Sequence, residues 1–375
     1  MSTRDGLGPP SEEFLRSKGR LATLGMFVID HFSVTDSEGI PIPSDEEAIG
    51  GGGIFAMTAA RLFLPPSSCS LLVDKGADFP PQFERQLREF GYDMVWFRPR
   101  SGPTTRAVNI YSGTRIGEGH QSFQYLSPQL HLFLRNLILP PSPFATQHLP
   151  EWIHVVCNCE RARAIVDEMI YIRNGHLEEG LGKGWKGQMI WEPLGKACRA
   201  EELEEILHLA PSFAVFSPNL LELQTILSIK PTEPATLKDA EFAAHAFRDK
   251  LAGSGRDVPA IVVRAGELGS YTLSTTWTGW VPAFWGEDGQ DKVVDVTGGG
   301  NGYLGGFMAG LLISDGNMRT ASIYGSTAAS FAIEQRGLPR LSNTPHGERW
   351  NDDDPWQRLY TMARRVDEAE RNATT

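Results

Sequence analysis

Val293 to Leu312 read VVDVTGGGNGYLGGFMAGLL. The spacing predicts a short apolar strand leading to Asp295 and Thr297, then three glycines, then Asn301 at the start of a helix. Three consecutive glycines ahead of a helix let backbone N–H groups converge on one point, and the positive end of the helix dipole adds to their field. Such a turn is an anion cradle, suited to charge developing on a transferring phosphoryl group. Gly305, Gly306, Ala309 and Gly310 let the helix pack closely on a sheet. Packing explains that second set but not Gly298, Gly299 and Gly300. A Walker A loop is excluded, because G-x-x-x-x-G-K-[ST] is absent. A dinucleotide fingerprint is excluded too: Gly298-x-Gly300-x-Gly302 has the wrong spacing and lies near the C-terminal end.

Against the rest of the chain this segment stands out. Glycine occurs 39 times in 375 residues, where average usage of about 7% would give roughly 26. The surplus sits in Gly50–Gly53 and in Gly298–Gly310, and local glycine clusters mark a backbone that comes close to something. Apolar residues make up 41% and charged residues 22%, which excludes a disordered or membrane-dominated chain. The length allows two domains or one large α/β unit. Net charge is −11 without a Lys/Arg block, so nucleic acid and anionic membranes are poor partners, while a local positive pocket remains open. Cys69, Cys157, Cys159 and Cys198 form no C-x-x-C and stand near no histidine cluster, so reduced, structural thiols are expected rather than zinc.

Residues 1–20 are polar, lack a signal-type apolar core and read as a flexible arm. The most apolar window, Leu130–Leu139, is interrupted by Arg135 and Asn136, so no membrane span is expected and the location reads as cytoplasmic. Leu21–Ile29 (LATLGMFVI) reads as one strand buried on both faces, ending at Asp30. Residues 31–48 read as short strands or a flap, and IFAMTAARLF after Gly53 as a buried helix. From Trp152 onward strands and helices alternate, which argues for a mostly parallel sheet covered on both faces. Residues 339–355 read as a loop, and Trp356–Glu370 as a helix packed on the body.

The 293–312 segment resembles the C-terminal signature of the PfkB/ribokinase family of carbohydrate kinases, aspartate–x–threonine–glycine–alanine–glycine–aspartate before a small-residue helix. Asp295, Thr297, Gly298, Gly299 and Gly300 fall on that pattern. Other landmarks come in the family's order. Gly25-Met-Phe-Val-Ile-Asp30 looks like the first strand with its substrate-holding aspartate, and Gly50–Leu62 like the di-glycine signature. Pro103-Thr104 resembles the segment joined to the lid. Pro218-Asn219-Leu-Leu-Glu222 is similar to the element near magnesium, and Gly266-Glu-Leu-Gly269 to the turn lining the nucleotide.

The resemblance implies a ribokinase-like three-layer α/β/α fold over residues 21–340, with a mostly parallel central sheet and a small β lid built from residues around 31–48 and 102–126. Residues 341–375 would form a C-terminal loop and helix packed on it. It implies an ATP-dependent kinase acting on a hydroxyl of a small polar, sugar- or nucleoside-like substrate, with ATP and Mg2+ as cofactors and a homodimer paired through the lid. Asp30, Gly51 and Gly52 would bind substrate, with Ile54 where the family carries a substrate-contacting asparagine. Gly298–Gly300 would form the anion hole. Thr297, Gly266, Gly269 and Asn219 would meet the nucleotide, while Glu222 and, indirectly, Glu192 would serve the metal.

Three departures qualify the activity. Asn301 stands at the base position, where an amide cannot take the hydroxyl proton, and losing a positioned base costs about 10²–10⁴-fold. Ile54 is apolar. Trp191-Glu192-Pro193 replaces an aspartate–x–asparagine strand end, and with GGGN it resembles a fungal, maintenance-of-killer-like branch of the family. The alternative is a silenced kinase that binds nucleotide or metabolite as a regulator or scaffold. His31 beside Asp30 reads as structural.

Overall fold

The computed structural model describes residues 6–36, 38, 40–112, 121–145, 148–345 and 347–374. Residues 1–5 of the expected arm, Gly39 in the expected flap and 113–120 of the expected lid lie outside the described residues. Helix α1 (Glu12–Ser17) precedes strand β1 (Leu21–Thr23), and the chain then leaves the central sheet for β2 (Val28–Thr35) and β3 (Pro41–Gly50). Helix α2 (Gly52–Arg61), β4 (Cys69–Lys75), α3 (Pro81–Glu89) and β5 (Val95–Pro99) return it to the body. Then come β6 (Arg106–Ser112), β7 (Gln121–Tyr125) and the single turn α4 (Arg135–Ile138).

The second half runs through β8 (Trp152–Cys157), α5 (Cys159–Arg173), β9 (Gln188–Pro193), α6 (Leu203–Leu209), β10 (Val215–Phe216), α7 (Leu220–Ile226), α8 (Leu237–Gly253) and β11 (Ala260–Arg264). It closes with β12 (Ser270–Leu273), β13 (Thr278–Val281), α9 (Gly299–Ile313), α10 (Met318–Ala332), the hairpin β14 (Leu341–Thr344)–β15 (Gly347–Trp350) and α11 (Pro355–Thr374).

Nine strands form the central sheet in the order β13-β12-β11-β10-β9-β8-β1-β4-β5. All neighbours from β11 to β5 are parallel, and β12 and β13 add an antiparallel edge. Alternation along β11 shows why both faces are covered: Val262 joins one apolar cluster with α2, α9 and α10, while Ile261 and Val263 join the other with α5, α7 and α8. The fold is therefore the expected ribokinase-like three-layer α/β/α arrangement. A second sheet, β3-β2-β6-β7, forms the small lid; β2 and β6 pair in parallel and the other neighbours antiparallel. No helix among the described residues is long and apolar enough to cross a membrane.

Several local expectations are corrected. The run Leu21–Ile29 is two strands, because Gly25 lies against Gly53, where an added Cβ would meet Gly53 N at 2.5 Å. That contact turns the chain out of the central sheet and into the lid. No strand forms at Val293–Asp295: Val294 and Val296 are 49% and 63% exposed, and the segment is tied instead by Val294 N and Asp295 N to Ile333 O. Residues 339–355 hold the β14–β15 hairpin, whose Trp350 is fully buried. Helix α1 lies within the segment expected as an arm; Leu15 packs on the core, and Tyr324 Oη donates to Gly6 O at 2.7 Å.

Candidate active site

The sheet order reverses beside β1: the chain runs to β4 and β5 on one side, then to β8 through β11 on the other. In open α/β sheets a crevice opens at the carboxyl ends of strands at such a switch point. A cavity of about 450 Å³ opens there, between Gly25 after β1, Cys157 and Asn158 after β8, and Glu192 and Pro193 at the end of β9. The lid closes it from above with Asp30, Asn109, Phe123 and Tyr125. Gly51, Gly52, Glu222, Thr297, Gly298 and Asn301 complete the wall.

Of the expected site residues, Asp30, Gly51, Gly52, Glu192, Glu222, Thr297, Gly298 and Asn301 meet here. Gly266, Gly269, Gly299 and Gly300 line a second cavity, and Ile54 and Asn219 line neither. Ile54 is wholly buried in the apolar core between sheet and α9. Asn219 lines neither this cavity nor the one described below. It caps α7, accepting from Glu222 N at 2.8 Å while its own N–H donates to Glu222 Oε2 at 2.7 Å. His31 stays outside the cavity, 3.4 Å from Glu47 Oε1.

Each glycine of the 50–53 cluster answers a close approach. A Cβ on Gly50 would stand 1.8 Å from Asp30 Oδ2, on Gly52 2.8 Å from Asn301 Nδ2, and on Gly53 2.3 Å from Gly25 O. Gly51 has φ +99°, outside what most side chains tolerate. The second cluster works differently from the expected row of three loop glycines. Only Gly298 is left-handed, at φ +78°, while Gly299 and Gly300 already belong to the first turn of α9. Helix α9 therefore begins two residues before Asn301, with the N–H groups of its first turn at the cavity margin, that of Gly299 already donating to Val296 O at 3.1 Å.

Asn301 is held by a buried polar chain. Its Nδ2 donates to Glu192 Oε2 at 2.7 Å, which also accepts from His154 Nε2 at 2.8 Å. His154 Nδ1 lies 3.0 Å from Thr23 Oγ1, which accepts from Gly25 N. A carboxylate can only accept, so the amide presents Nδ2 to Glu192 and keeps Oδ1 as an acceptor. Glu192 Oε1 pairs with Arg264 Nη1 at 2.7 Å. Burial alone would raise Glu192, but Arg264 and the His154 and Asn301 hydrogen bonds prevail and hold it near 2. Such a carboxylate is a poor proton acceptor at neutral pH.

Asp30 is the opposite case. Burial pushes it up to about 7 despite a hydrogen bond from Asn109, and Asp295 adds to the rise. Its Oδ1 is buried without a partner. Nearby, Tyr111 of the lid bridges to the signature: its Oη lies 3.3 Å from Asp295 Oδ2 and 3.1 Å from Thr297 Oγ1.

A metal held directly by Glu192 or Glu222 does not fit these residues. Arg264 already stands between them, 2.7 Å from Glu192 Oε1 and 3.6 Å from Glu222 Oε2, and Glu222 Oε2 is engaged at the α7 cap. Among the described residues no group of three His, Cys, Asp or Glu could hold a metal ion. A nucleotide fits better. A second cavity of about 370 Å³ lies across the Gly298–Gly300 turn, lined by Gly266, Gly269, Phe284, Trp285, Gly299, Gly300 and Ile333. Its aromatic and aliphatic wall suits a heterocyclic base. The α9 N-terminus thus separates a polar cavity from an apolar one. Sequence did not single out Arg264, His154, Tyr111 or Arg161; Arg264 was signalled only by closing the apolar strand AIVVR at its carboxyl end.

A family model described as pfkB family carbohydrate kinase matches residues 190–344. The chain is 27% identical over 358 residues to Protein MAK32 of Saccharomyces cerevisiae, covering 91% of each. It is 28% identical to an uncharacterized protein of Schizosaccharomyces pombe, covering 90% of this chain and 91% of that one. Ribokinase from Giardia lamblia superposes with a TM-score of 0.61 at 17% identity, covering 85% of this chain and 94% of that one. Phosphofructokinase-2 from Escherichia coli does so at 0.58 and 16%, covering 91% and 98%. The resemblance to the PfkB carbohydrate kinases and to their fungal branch is borne out, and the solved structures support the ribokinase-like fold.

Proposed function

We propose that the chain is an ATP-dependent phosphotransferase acting on a hydroxyl of a small polar molecule, slowed by the amide at position 301. The observation that carries this reading is the N-terminus of α9 standing between two cavities, with Gly298 and Asn301 on one and Gly299 and Gly300 on the other. A phosphoryl group passing from the apolar cavity to the polar one would cross that N-terminus, where backbone N–H groups and Arg264 oppose its charge. Asp30, with its unpartnered oxygen, would hold substrate hydroxyls. Asn301 Oδ1 would orient the attacking hydroxyl without removing its proton. Phosphoryl transfer has a loose transition state dominated by positioning and electrostatics, which leaves room for slow turnover without a strong base. ATP supplies the transferred phosphoryl group.

The silenced-kinase reading is favoured by one observation: Asn301 is committed through Nδ2 to Glu192, so the base position is built into the buried polar network. Both readings meet in one experiment. ATP turnover is measured for wild type and Asn301→Asp against a panel of sugars, polyols and nucleosides, beside thermal shifts with Mg-ATP. Slow wild-type turnover that Asn301→Asp raises by about 10²–10⁴-fold supports the kinase. A thermal shift with no turnover in wild type supports the silenced form. Absence of both turnover and shift overturns the nucleotide site itself.

A further inference from the structure

The polar cavity contains a cation that its own chain does not neutralise. Arg161, in the first turn of α5, is 7% exposed and lines the cavity. Its guanidinium donates only to backbone carbonyls: Nη2 to Leu24 O at 2.5 Å and Leu132 O at 2.9 Å, and Nη1 to Val156 O at 3.2 Å. Nε is buried without a partner. The His131 ring feels its charge, and the ionisable groups that raise Arg161 in turn are Cys157 and Tyr125. Burial keeps both neutral, pushing the Cys157 thiol up to about 12 and raising the Tyr125 phenol. The other two fully buried arginines both face carboxylates: Arg61 meets Glu348, and Arg358 meets Glu334 and Asp353. Among the buried arginines of the described residues Arg161 is the exception.

A guanidinium stays charged even when buried, and a buried charge left unpaired is costly. Carbonyl oxygens orient it without cancelling it. Its field enters the cavity, where low-dielectric walls concentrate it. The α5 N-terminus adds to that field, since Cys157 and the cap Asn158 line the same wall. His131 and Gln129 bring further polar groups to this end. At the other end stands Asp30; the Tyr125 phenol feels both Asp30 and Arg161 and so marks the span between them.

We propose that the polar cavity takes a small hydroxylated molecule carrying an oxyanion, carboxylate or phosphate, with the anion at Arg161 and the hydroxyls at Asp30. A neutral sugar or nucleoside leaves Arg161 unpaired. This inference rests on reading the cavity as the acceptor-substrate site. Arginine suits the role, because it keeps its charge and presents planar donors to oxyanions.

Titration calorimetry on the full chain with matched pairs tests it: gluconate against sorbitol, and glucose 6-phosphate against glucose. At least one anion is expected to bind ten-fold or more tightly than its neutral match, and which pair responds tells carboxylate from phosphate. Arg161→Gln is expected to erase that preference, whereas Arg161→Lys keeps part of it. A purely structural arginine would weaken acid and neutral ligands alike in both variants. Should Arg161→Gln not fold, Arg161→Lys and the fall of the wild-type preference between about 50 and about 300 mM salt give the same reading.

Equal binding of acid and neutral ligands, binding of none of the four, or a preference surviving Arg161→Gln overturns the proposal. A thermal shift with Mg-ATP, run in parallel, separates it from the kinase reading. Anion preference without that shift keeps the inference and removes the kinase. The shift without anion preference does the reverse.

Discussion

Asn301 and Glu192 hold their hydrogen bond in one polarity, amide to carboxylate, at 2.7 Å. Asn301→Asp alone places two carboxylates at that distance, and such a pair shares a proton and titrates in two separated steps. Turnover by this variant is therefore expected to climb with pH as the shared proton leaves. Adding Glu192→Gln restores one amide and one carboxylate with the polarity reversed, so the double variant should reach its plateau at lower pH than the single one. Profiles of kcat/KM against pH for the two variants check this. Asp30 carries a second pH dependence. Its folded-state value, raised to about 7 from an ordinary 3.8, means that the folded chain holds this proton more tightly than the unfolded one. Its contribution to stability is then lost as pH rises from about 4 to about 7. Asp30→Asn should remove that loss and leave the protein more stable than wild type at pH 8, by on the order of 1–4 kcal/mol. Its substrate affinity should fall. Urea midpoints at pH 5 and pH 8 for both proteins give the sign.

At the scale of elements, α9 has two kinds of glycine. A Cβ on Gly305 would sit 1.8 Å from the carbonyl oxygen of Ala56 in α2. Backbone cannot step aside, so Gly305→Ala is expected to cost about 3 kcal/mol or more, read as a lowered urea midpoint. A Cβ on Gly300 would instead meet Arg264 Nη1 at 2.2 Å, the far end of a long side chain. Gly300→Ala should fold at a smaller cost than Gly305→Ala, because a side-chain tip can shift where backbone cannot, although the shift loosens the Arg264–Glu192 pair. Its displaced Arg264 should weaken the thermal shift by Mg-ATP. The same contrast explains what sequence could disclose. Helices with a pattern of their own were legible, as α2 was in IFAMTAARLF after Gly53 and α11 in Trp356–Glu370. The break in Leu21–Ile29 was not, because it is made by contact with Gly53 across the fold. Val293–Val296 has a strand's composition, yet among the described residues no strand pairs with it, and Val294 and Val296 are exposed. The signature glycines were legible as a local anomaly. The chain of Thr23, His154, Glu192 and Asn301 was not, since its members lie 131, 38 and 109 residues apart.

Over the whole molecule, the sheet's reversal at β1 fixes where the site lies and where the lid must spring from. The lid is continuous with the signature through Tyr111 and with the cavity through Asp30, so anything that steadies the lid also steadies the site. Its margins carry apolar side chains that this chain does not cover: Ile40 and Ile42 are each 56% exposed, and Leu126 is 55% exposed. Apolar groups gathered on one small sheet mark an association surface more often than chance exposure does. The homodimer that the family resemblance implies would pair through this sheet, and association there would order the strands that carry Asp30 and Tyr111. Light scattering on the full chain should give the mass of a dimer, and Ile42→Asp should yield a folded monomer. Because the lid then loses its support, the same variant should bind substrate more weakly while keeping the Mg-ATP thermal shift, whose cavity lies across α9. A wild-type monomer at micromolar concentration, or a dimer that survives Ile42→Asp, removes the lid as the pairing surface.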